Sequence, residues 1–97
     1  MSPEDMTEVI RLAHQRGIWV LSDECYVYLN YTGKIFSVGV LREYKERMVL
    51  LGSLSKTYAM TGWRMGYAMA PAAVASAMAK LQSQSTSNPT SIVQKRR

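Results

Sequence analysis

Two short apolar runs, each followed closely by polar residues, set the strongest limit on how this chain folds. The first run, Ile-Trp-Val-Leu at 18–21, is followed by Asp23, and the second, Met-Val-Leu-Leu at 48–51, is followed by Ser53. Uninterrupted apolar runs of this length are typical of strands that are covered on both faces. Segments with helical signals precede both runs. The pattern therefore predicts part of an α/β layer with parallel strands.

Helix signals are clearest at the start of the chain. Ser2 is placed to cap a helix, Asp5 stands where a capping box has an acid, and Gly17 is a natural stop. Apolar residues between them recur at the spacing of one helical face. The other predicted elements are a short helix at 41–47, a weaker strand at 65–69, an alanine-rich helix opened by Pro71, a loop at 83–88 and a last helix capped by Asn88 and Pro89.

Length and composition limit the class of protein. Ninety-seven residues fit one domain at most, and a hydrophobic content of 47% argues against disorder. With Cys25 and His14 as the sole residues of their types, an internal disulfide is excluded and the usual Cys/His zinc site is not expected. No apolar run approaches the roughly 20 residues that span a bilayer. The acidic N-terminus lacks the pattern of a signal peptide, so we expect a cytoplasmic protein without metal or membrane partner.

Charge is unevenly distributed along the chain. Residues 1–30 have a net charge of −3 and residues 31–97 a net charge of +8. A basic half can attract a polyanion. However, two of its bases belong to the polar segment described next, and 95–97 form a terminal tail. Because no basic stripe is interleaved with aromatic residues, nucleic-acid binding is not predicted.

One polar segment places a lysine between serines and an arginine. Ser53 and Ser55 precede Lys56, and Arg64 follows eight positions later. A lysine is nucleophilic only without its proton, and neighbouring positive charge favours that loss. Arg64 also offers a planar donor fork that matches a phosphate, and the serine hydroxyls can donate to the same anion. The segment is therefore suited to a phosphorylated aldehyde that bonds to the lysine.

Other phosphate and nucleophile motifs do not fit this segment. A phosphate-loop NTPase requires glycines one and six positions before the lysine, where this chain has Ser55 and Leu50. The chain contains no G-x-G-x-x-G pattern and no G-x-S-x-G nucleophile elbow. Dinucleotide-binding and serine-hydrolase functions therefore have no specific support.

A second polar group follows the first apolar run. The carboxyl ends of parallel strands meet at one edge of a sheet, so we expect Asp23 to lie near Ser53 and Lys56. Asp23 alone would suit the capping of a turn, and Tyr26 alone would suit a half-buried tyrosine. Beside a pyridine cofactor, Asp23 would keep the ring nitrogen protonated and Tyr26 would bond the phenolic oxygen.

These segments together resemble one enzyme family. Residues 21–26 (LSDECY), 52–56 (GSLSK) and 61–64 (TGWR) are similar to the fold-type I, class I/II aminotransferases of the aspartate aminotransferase group. The resemblance implies that pyridoxal 5'-phosphate (PLP) is the cofactor and that Lys56 is the Schiff-base lysine and proton shuttle. It implies that Asp23 and Tyr26 contact the pyridine ring. The phosphate ligands it implies are Ser53, Ser55 and Arg64.

The resemblance also implies an architecture and a reaction. It implies a mainly parallel sheet flanked by helices, with residues 1–97 forming part of the large PLP-binding domain of a homodimer. The reaction it implies is transamination between an amino acid and a 2-oxo acid. The upstream parts of that domain and the small domain are not matched, so we expect a fragment. Two alternatives stay open: a truncated, non-catalytic chain, and a related PLP enzyme such as a β-eliminating lyase.

Overall fold

A computed structural model describes residues 1–94 and confirms the α/β class. Residues 1–94 contain seven regular elements and three short 3-10 helices. The elements are α1 (Pro3–Gln15), β1 (Val20–Asp23), β2 (Met48–Ser53), α2 (Leu54–Thr57), β3 (Gly66–Met69), α3 (Ala72–Ser85) and α4 (Ser91–Gln94), with 3-10 helices at Val38–Val40, Arg42–Arg47 and Thr61–Trp63. The basic tail at 95–97 lies outside the described residues.

The first helix begins and ends as its sequence predicts. Ser2 Oγ accepts a hydrogen bond from the Asp5 amide at 3.1 Å, and Asp5 Oδ2 accepts one from the Ser2 amide at 3.2 Å. At the other end Gly17 has a φ of 68°, and the Ile18 amide donates to Ala13 O at 2.9 Å. This is the Schellman arrangement, which glycine accommodates at no steric cost.

The Schellman turn also explains why β1 begins later than predicted. The Ile18 amide is still hydrogen-bonded to a carbonyl of α1, so strand pairing begins at Val20 instead of at residue 18. β1 pairs parallel with β2, with Val20 opposite Met48 and Asp23 opposite Leu51. The predicted parallel pair of strands is therefore confirmed, with the first strand shifted by two residues.

The third strand runs in the opposite direction. β3 pairs antiparallel with β2, with Gly66 opposite Ser53, and the sheet order is β1-β2-β3. A parallel neighbour requires a crossover that returns the chain to the starting edge. The link at 54–65 contains only the single turn α2 and a 3-10 helix, so the chain reverses at the edge where β2 ends. The described sheet is thus mixed.

The core lies on one face of the sheet. Ile10 from α1, Val38, and Met48 and Leu50 from β2 are buried together, and half-buried apolar side chains surround them. The prediction that both apolar runs are covered on both faces holds for β2, where Met48, Val49 and Leu50 are all buried. It is wrong for β1, because Leu21 is 68% exposed. The second face of the sheet is open at β1.

The alanine-rich helix after Pro71 is confirmed but is longer than predicted. The expected loop at 83–88 begins at Thr86, because the Ser83 and Ser85 hydroxyls donate to the carbonyls of Lys80 and Leu81 inside α3. Only Val74 of α3 is half-buried, and the rest of the helix is exposed. Among residues 1–94 no helix has the length and apolar character needed to cross a bilayer.

Candidate functional site

Three chain segments bring polar residues to one edge of the sheet. β1 and β2 are parallel and end there at Asp23 and Ser53, and the antiparallel β3 begins there directly after Arg64 and Met65. The Glu24 amide donates to Leu51 O at 2.8 Å, so the chain leaving β1 stays beside β2. The expected convergence of Asp23 with Ser53 is therefore a property of the sheet register.

Lys56 lies on the single turn α2. Ser53 caps this turn, with its Oγ accepting a hydrogen bond from the Ser55 amide at 3.1 Å. Lys56 is exposed, and its Nζ lies 5.8 Å from the centroid of the Tyr26 ring. That distance is within the range of cation–π attraction. The structure thus brings Lys56 and Tyr26 together from separate segments.

Asp23 is held as a carboxylate by its neighbour Cys25. The Cys25 amide donates to Asp23 Oδ1 at 3.0 Å. Hydrogen bonding from the Cys25 thiol, and then from its amide, lowers the pKa of Asp23 below its ordinary value. Asp23 therefore stays ionised at neutral pH, the state in which it can pair with a protonated ring nitrogen.

The same contact raises the pKa of the Cys25 thiol. Hydrogen bonding to the Asp23 carboxylate, followed by burial, raises the pKa of Cys25, while a hydrogen bond with Ser53 partly opposes the change. Cys25 is half-buried and free. The sequence did not indicate this contact, because no spacing motif links a lone cysteine to the carboxylate two positions before it.

The predicted phosphate ligands divide into two places along this edge. Ser53 and Ser55 are adjacent at the start of α2, and Ser53 Oγ also donates to Met65 O at 3.4 Å. Arg64 is exposed and has a left-handed backbone, with φ 52° and ψ 43°. Its Nη1 donates to Thr61 O at 3.0 Å, within its own turn. The hydrogen bond that joins the serine segment to the arginine turn is therefore made to Met65 O, the carbonyl of the residue after Arg64.

Two contacts near the site carry no sequence motif. Thr90 Oγ1 donates to Trp63 O at 3.3 Å, joining the segment after α3 to the arginine turn. The Tyr67 ring lies against Gly52, so that a Cβ on Gly52 would overlap it. A glycine inside a strand often indicates close approach by another group, so Gly52 was a sequence signal for the Tyr67 contact. The Thr90 contact depends on a turn that the sequence pattern does not specify.

The chemistry of this edge fits a phosphorylated pyridine aldehyde. It offers an amine, a phenol, an ionised carboxylate, two hydroxyls and a guanidinium. The amine and phenol are neighbours, and the carboxylate ends the adjacent strand. Among residues 1–94 no group of three or more His, Cys, Asp or Glu side chains could hold a metal ion.

Comparison with known proteins gives the family. The sequence profile of the family described as aminotransferase class I and II matches residues 1–95. The chain belongs to the class I and II aminotransferase family. Members of this family are PLP-dependent enzymes of fold type I. The resemblance inferred from the residues is thereby confirmed.

Individual aminotransferases are similar in sequence to nearly the whole of this chain. The aspartate/prephenate aminotransferase of Thermus thermophilus is 42% identical over 93 residues, which cover 95% of this chain and 24% of the relative. The aspartate aminotransferase of Geobacillus stearothermophilus is 48% identical over 85 residues, covering 86% of this chain and 21% of the relative. This chain thus spans about a quarter of the length of the curated relatives it matches.

Solved structures agree with the sequence comparison. The aromatic aminotransferase of Pyrococcus horikoshii superposes with a TM-score of 0.89 at 30% identity, covering 97% of this chain and 26% of that one. Because the superposition covers 97% of this chain, the described sheet and helices agree with the aminotransferase fold.

Proposed function

We propose that residues 1–97 form part of the large PLP-binding domain of an aminotransferase that moves an amino group between an amino acid and a 2-oxo acid. The observation that carries this proposal is the convergence of Lys56, Tyr26, Asp23 and Ser53 at one sheet edge. Family membership gives the reaction class, and the edge supplies residues suited to it.

Lys56 would be the residue that bonds covalently to the cofactor aldehyde, and its amine would later move the substrate proton. Its exposure on a single-turn helix leaves Nζ accessible to a ligand at the sheet edge. The Ser53 cap fixes the start of that turn, which limits the positions that Nζ can reach. Proximity of this kind supplies a large share of catalytic rate.

Asp23 and Tyr26 hold the cofactor ring. The ionised Asp23 carboxylate pairs with the protonated ring nitrogen, and the Tyr26 hydroxyl donates to the phenolic oxygen. Bound PLP draws electrons from the substrate carbon that loses its proton. Hydrogen bonding from Cys25 lowers the pKa of Asp23 and so favours the ionised carboxylate that this role requires.

Ser53, Ser55 and Arg64 bind the cofactor phosphate. The two serines lie at the start of α2, and Arg64 lies at the start of β3 on the same edge. Guanidinium and hydroxyl donors are well matched to phosphate oxygens. These residues would hold the phosphate end of the cofactor, and Lys56 would be left to meet its aldehyde.

Exposed apolar surface supports a larger assembly. Leu21 on β1 and Leu81 on α3 are both more than two-thirds exposed. Packing such side chains against a second copy would remove apolar surface from water. We propose that the protein is a homodimer in the cytoplasm. Light scattering on the purified protein tests the dimer through its molar mass.

The activity test is an amino-transfer assay on purified full-length protein, since residues 1–97 supply only part of the proposed large domain. Aspartate with 2-oxoglutarate is the first pair to use, because the relatives are named for aspartate. We expect oxaloacetate and glutamate to form, and Lys56→Ala to abolish both. Lys80→Ala, which changes an exposed lysine on α3, is the matched control and keeps the activity.

Other outcomes of this assay identify the alternatives. Ammonia release from an amino acid with a β leaving group, without an amino acceptor, would identify a β-eliminating lyase. The absence of both reactions, together with no Lys56-dependent visible absorbance after PLP is added, would identify a non-catalytic chain and contradict the proposal.

A further inference from the structure

Arg64 lies between two residues whose backbone carbonyls each accept hydrogen bonds from other segments of the chain. On its C-terminal side, Met65 O accepts from the Leu54 amide at 3.3 Å and from Ser53 Oγ at 3.4 Å. On its N-terminal side, Trp63 O accepts from Thr90 Oγ1 at 3.3 Å. The turn that carries the arginine is therefore tied to α2 on one side and to the segment after α3 on the other.

The turn needs such support because of its backbone geometry. Arg64 is in the left-handed region with φ 52°, which side chains other than glycine, asparagine and aspartate seldom adopt. Inside the turn, the Trp63 amide donates to Met60 O at 3.1 Å. If the turn relaxes, this bond opens and the position of the Arg64 backbone changes with it.

Thr90 is itself held in place by local structure. The Thr86 and Ser87 amides both donate to Gln82 O, at 3.1 and 2.9 Å, and Ser87 has a φ of 65° that turns the chain back. The Val93 amide then donates to Thr90 O at 2.9 Å as α4 begins. The returning segment and the arginine turn line an open cleft of about 400 Å³.

We propose that Thr90 is a positioning residue for Arg64, acting through the Trp63 carbonyl. The Thr90 hydroxyl keeps the turn in the conformation that presents Arg64 at the sheet edge. This inference rests on the proposed role of Arg64 as a phosphate ligand. It gives the segment after α3, to which no function is otherwise assigned, a defined part in cofactor binding.

The first test measures the turn without any ligand. Thr90→Val removes the hydroxyl at nearly constant shape, and Thr90→Ser keeps it. We expect hydrogen exchange of the Trp63 amide to be about threefold to tenfold faster in Thr90→Val, the range for one lost neutral hydrogen bond. Exchange in Thr90→Ser stays near wild type. Unchanged exchange in Thr90→Val, or equal acceleration of the β2 amides, would overturn the proposal.

The second test measures phosphate recognition by comparing the affinities for PLP and for pyridoxal, which lacks the phosphate. We expect Thr90→Val to lower the PLP-to-pyridoxal affinity ratio threefold or more, and Thr90→Ser to restore it. Equal weakening of both ligands would indicate a merely structural role and overturn the inference.

Arg64→Ala distinguishes the positioning role of Thr90 from the phosphate role of Arg64. A large fall in the affinity ratio with Arg64→Ala and none with Thr90→Val contradicts the role of Thr90 alone. An unchanged ratio with Arg64→Ala contradicts the proposed phosphate role of Arg64, and the role of Thr90 falls with it.

Discussion

The Nζ atom of Lys56 lies 5.8 Å from the centroid of the Tyr26 ring. The two residues come from the turns that follow β1 and β2, and parallel pairing of those strands brings the turns together. A tyrosine in this position can serve both as an aromatic neighbour of the lysine and as a hydroxyl donor to a ligand beside it. Its two functions are separable by substitution.

Tyr26→Phe and Tyr26→Ala separate the hydroxyl from the ring. We expect Tyr26→Phe to weaken PLP binding by about twofold to tenfold, since one hydrogen bond to the cofactor is lost. Tyr26→Ala weakens it further because the apolar contact area of the ring is lost as well. Fluorescence titration with PLP measures both effects. Tyr58→Phe is the matched control at an exposed tyrosine, and a Tyr26→Phe protein that binds like wild type would contradict the assignment.

The contact between Asp23 and Cys25 predicts a change in thiol reactivity. Hydrogen bonding to the Asp23 carboxylate raises the pKa of Cys25 and disfavours the reactive thiolate. Asp23→Asn removes that negative charge, so the pKa of Cys25 falls and alkylation at pH 8 becomes faster. Because Cys25 is the single cysteine in the sequence, the pH profile of iodoacetamide labelling reports it directly. An unchanged or upward-shifted profile is the contrary result.

The capping box of α1 predicts a stability change with pH. The Ser2 amide, and then its hydroxyl, hold the pKa of Asp5 below its ordinary value of 3.8. A lowered pKa in the folded state means that the stabilisation is present above about pH 3.8 and is lost as pH falls through the folded value. We expect Asp5→Asn to have a lower Tm than wild type at pH 7, and this difference to vanish in strong acid. A difference that persists at pH 2 would contradict the assignment to the carboxylate.

Gly52 predicts a steric coupling between β2 and β3. Tyr67 lies opposite Gly52 in the sheet, and a Cβ on Gly52 overlaps the Tyr67 ring. We expect Gly52→Ala to lower the free energy of unfolding by about 1–3 kcal/mol, the usual cost of overpacking. Gly62→Ala meets nothing within 4 Å and serves as the control. Urea unfolding measures both, and the cost of Gly52→Ala shrinks in a Tyr67→Ala background. Equal costs in the two backgrounds would mean that the ring is not the cause.

Sequence reasoning succeeded where physical constraints are local. The capping box at Ser2 and the stop at Gly17 depend on residues within one turn, and both are confirmed. The meeting of Asp23 with the Ser53 segment follows from parallel pairing alone. The exposed face of Leu21 was not predicted, because a four-residue apolar run does not reveal what covers its second face.

Long-range features needed the structure. The direction of β3 depends on how the chain turns between residues 54 and 65, and a single-turn helix gives a weak periodic signal. The bond from Thr90 to Trp63 spans 27 residues and depends on the left-handed Ser87 in the returning segment. Serine and threonine are common in loops, so nothing in that segment marked Thr90 as a contact of the arginine turn.

Borohydride trapping tests whether Lys56 bonds covalently to the cofactor. The protein is incubated with PLP, reduced with borohydride, digested and mapped by mass spectrometry. We predict that the pyridoxyl group is found on Lys56, is absent in Lys56→Ala and is unaffected by Lys80→Ala. Labelling spread over several exposed lysines, or retained in full after Lys56→Ala, would contradict the account.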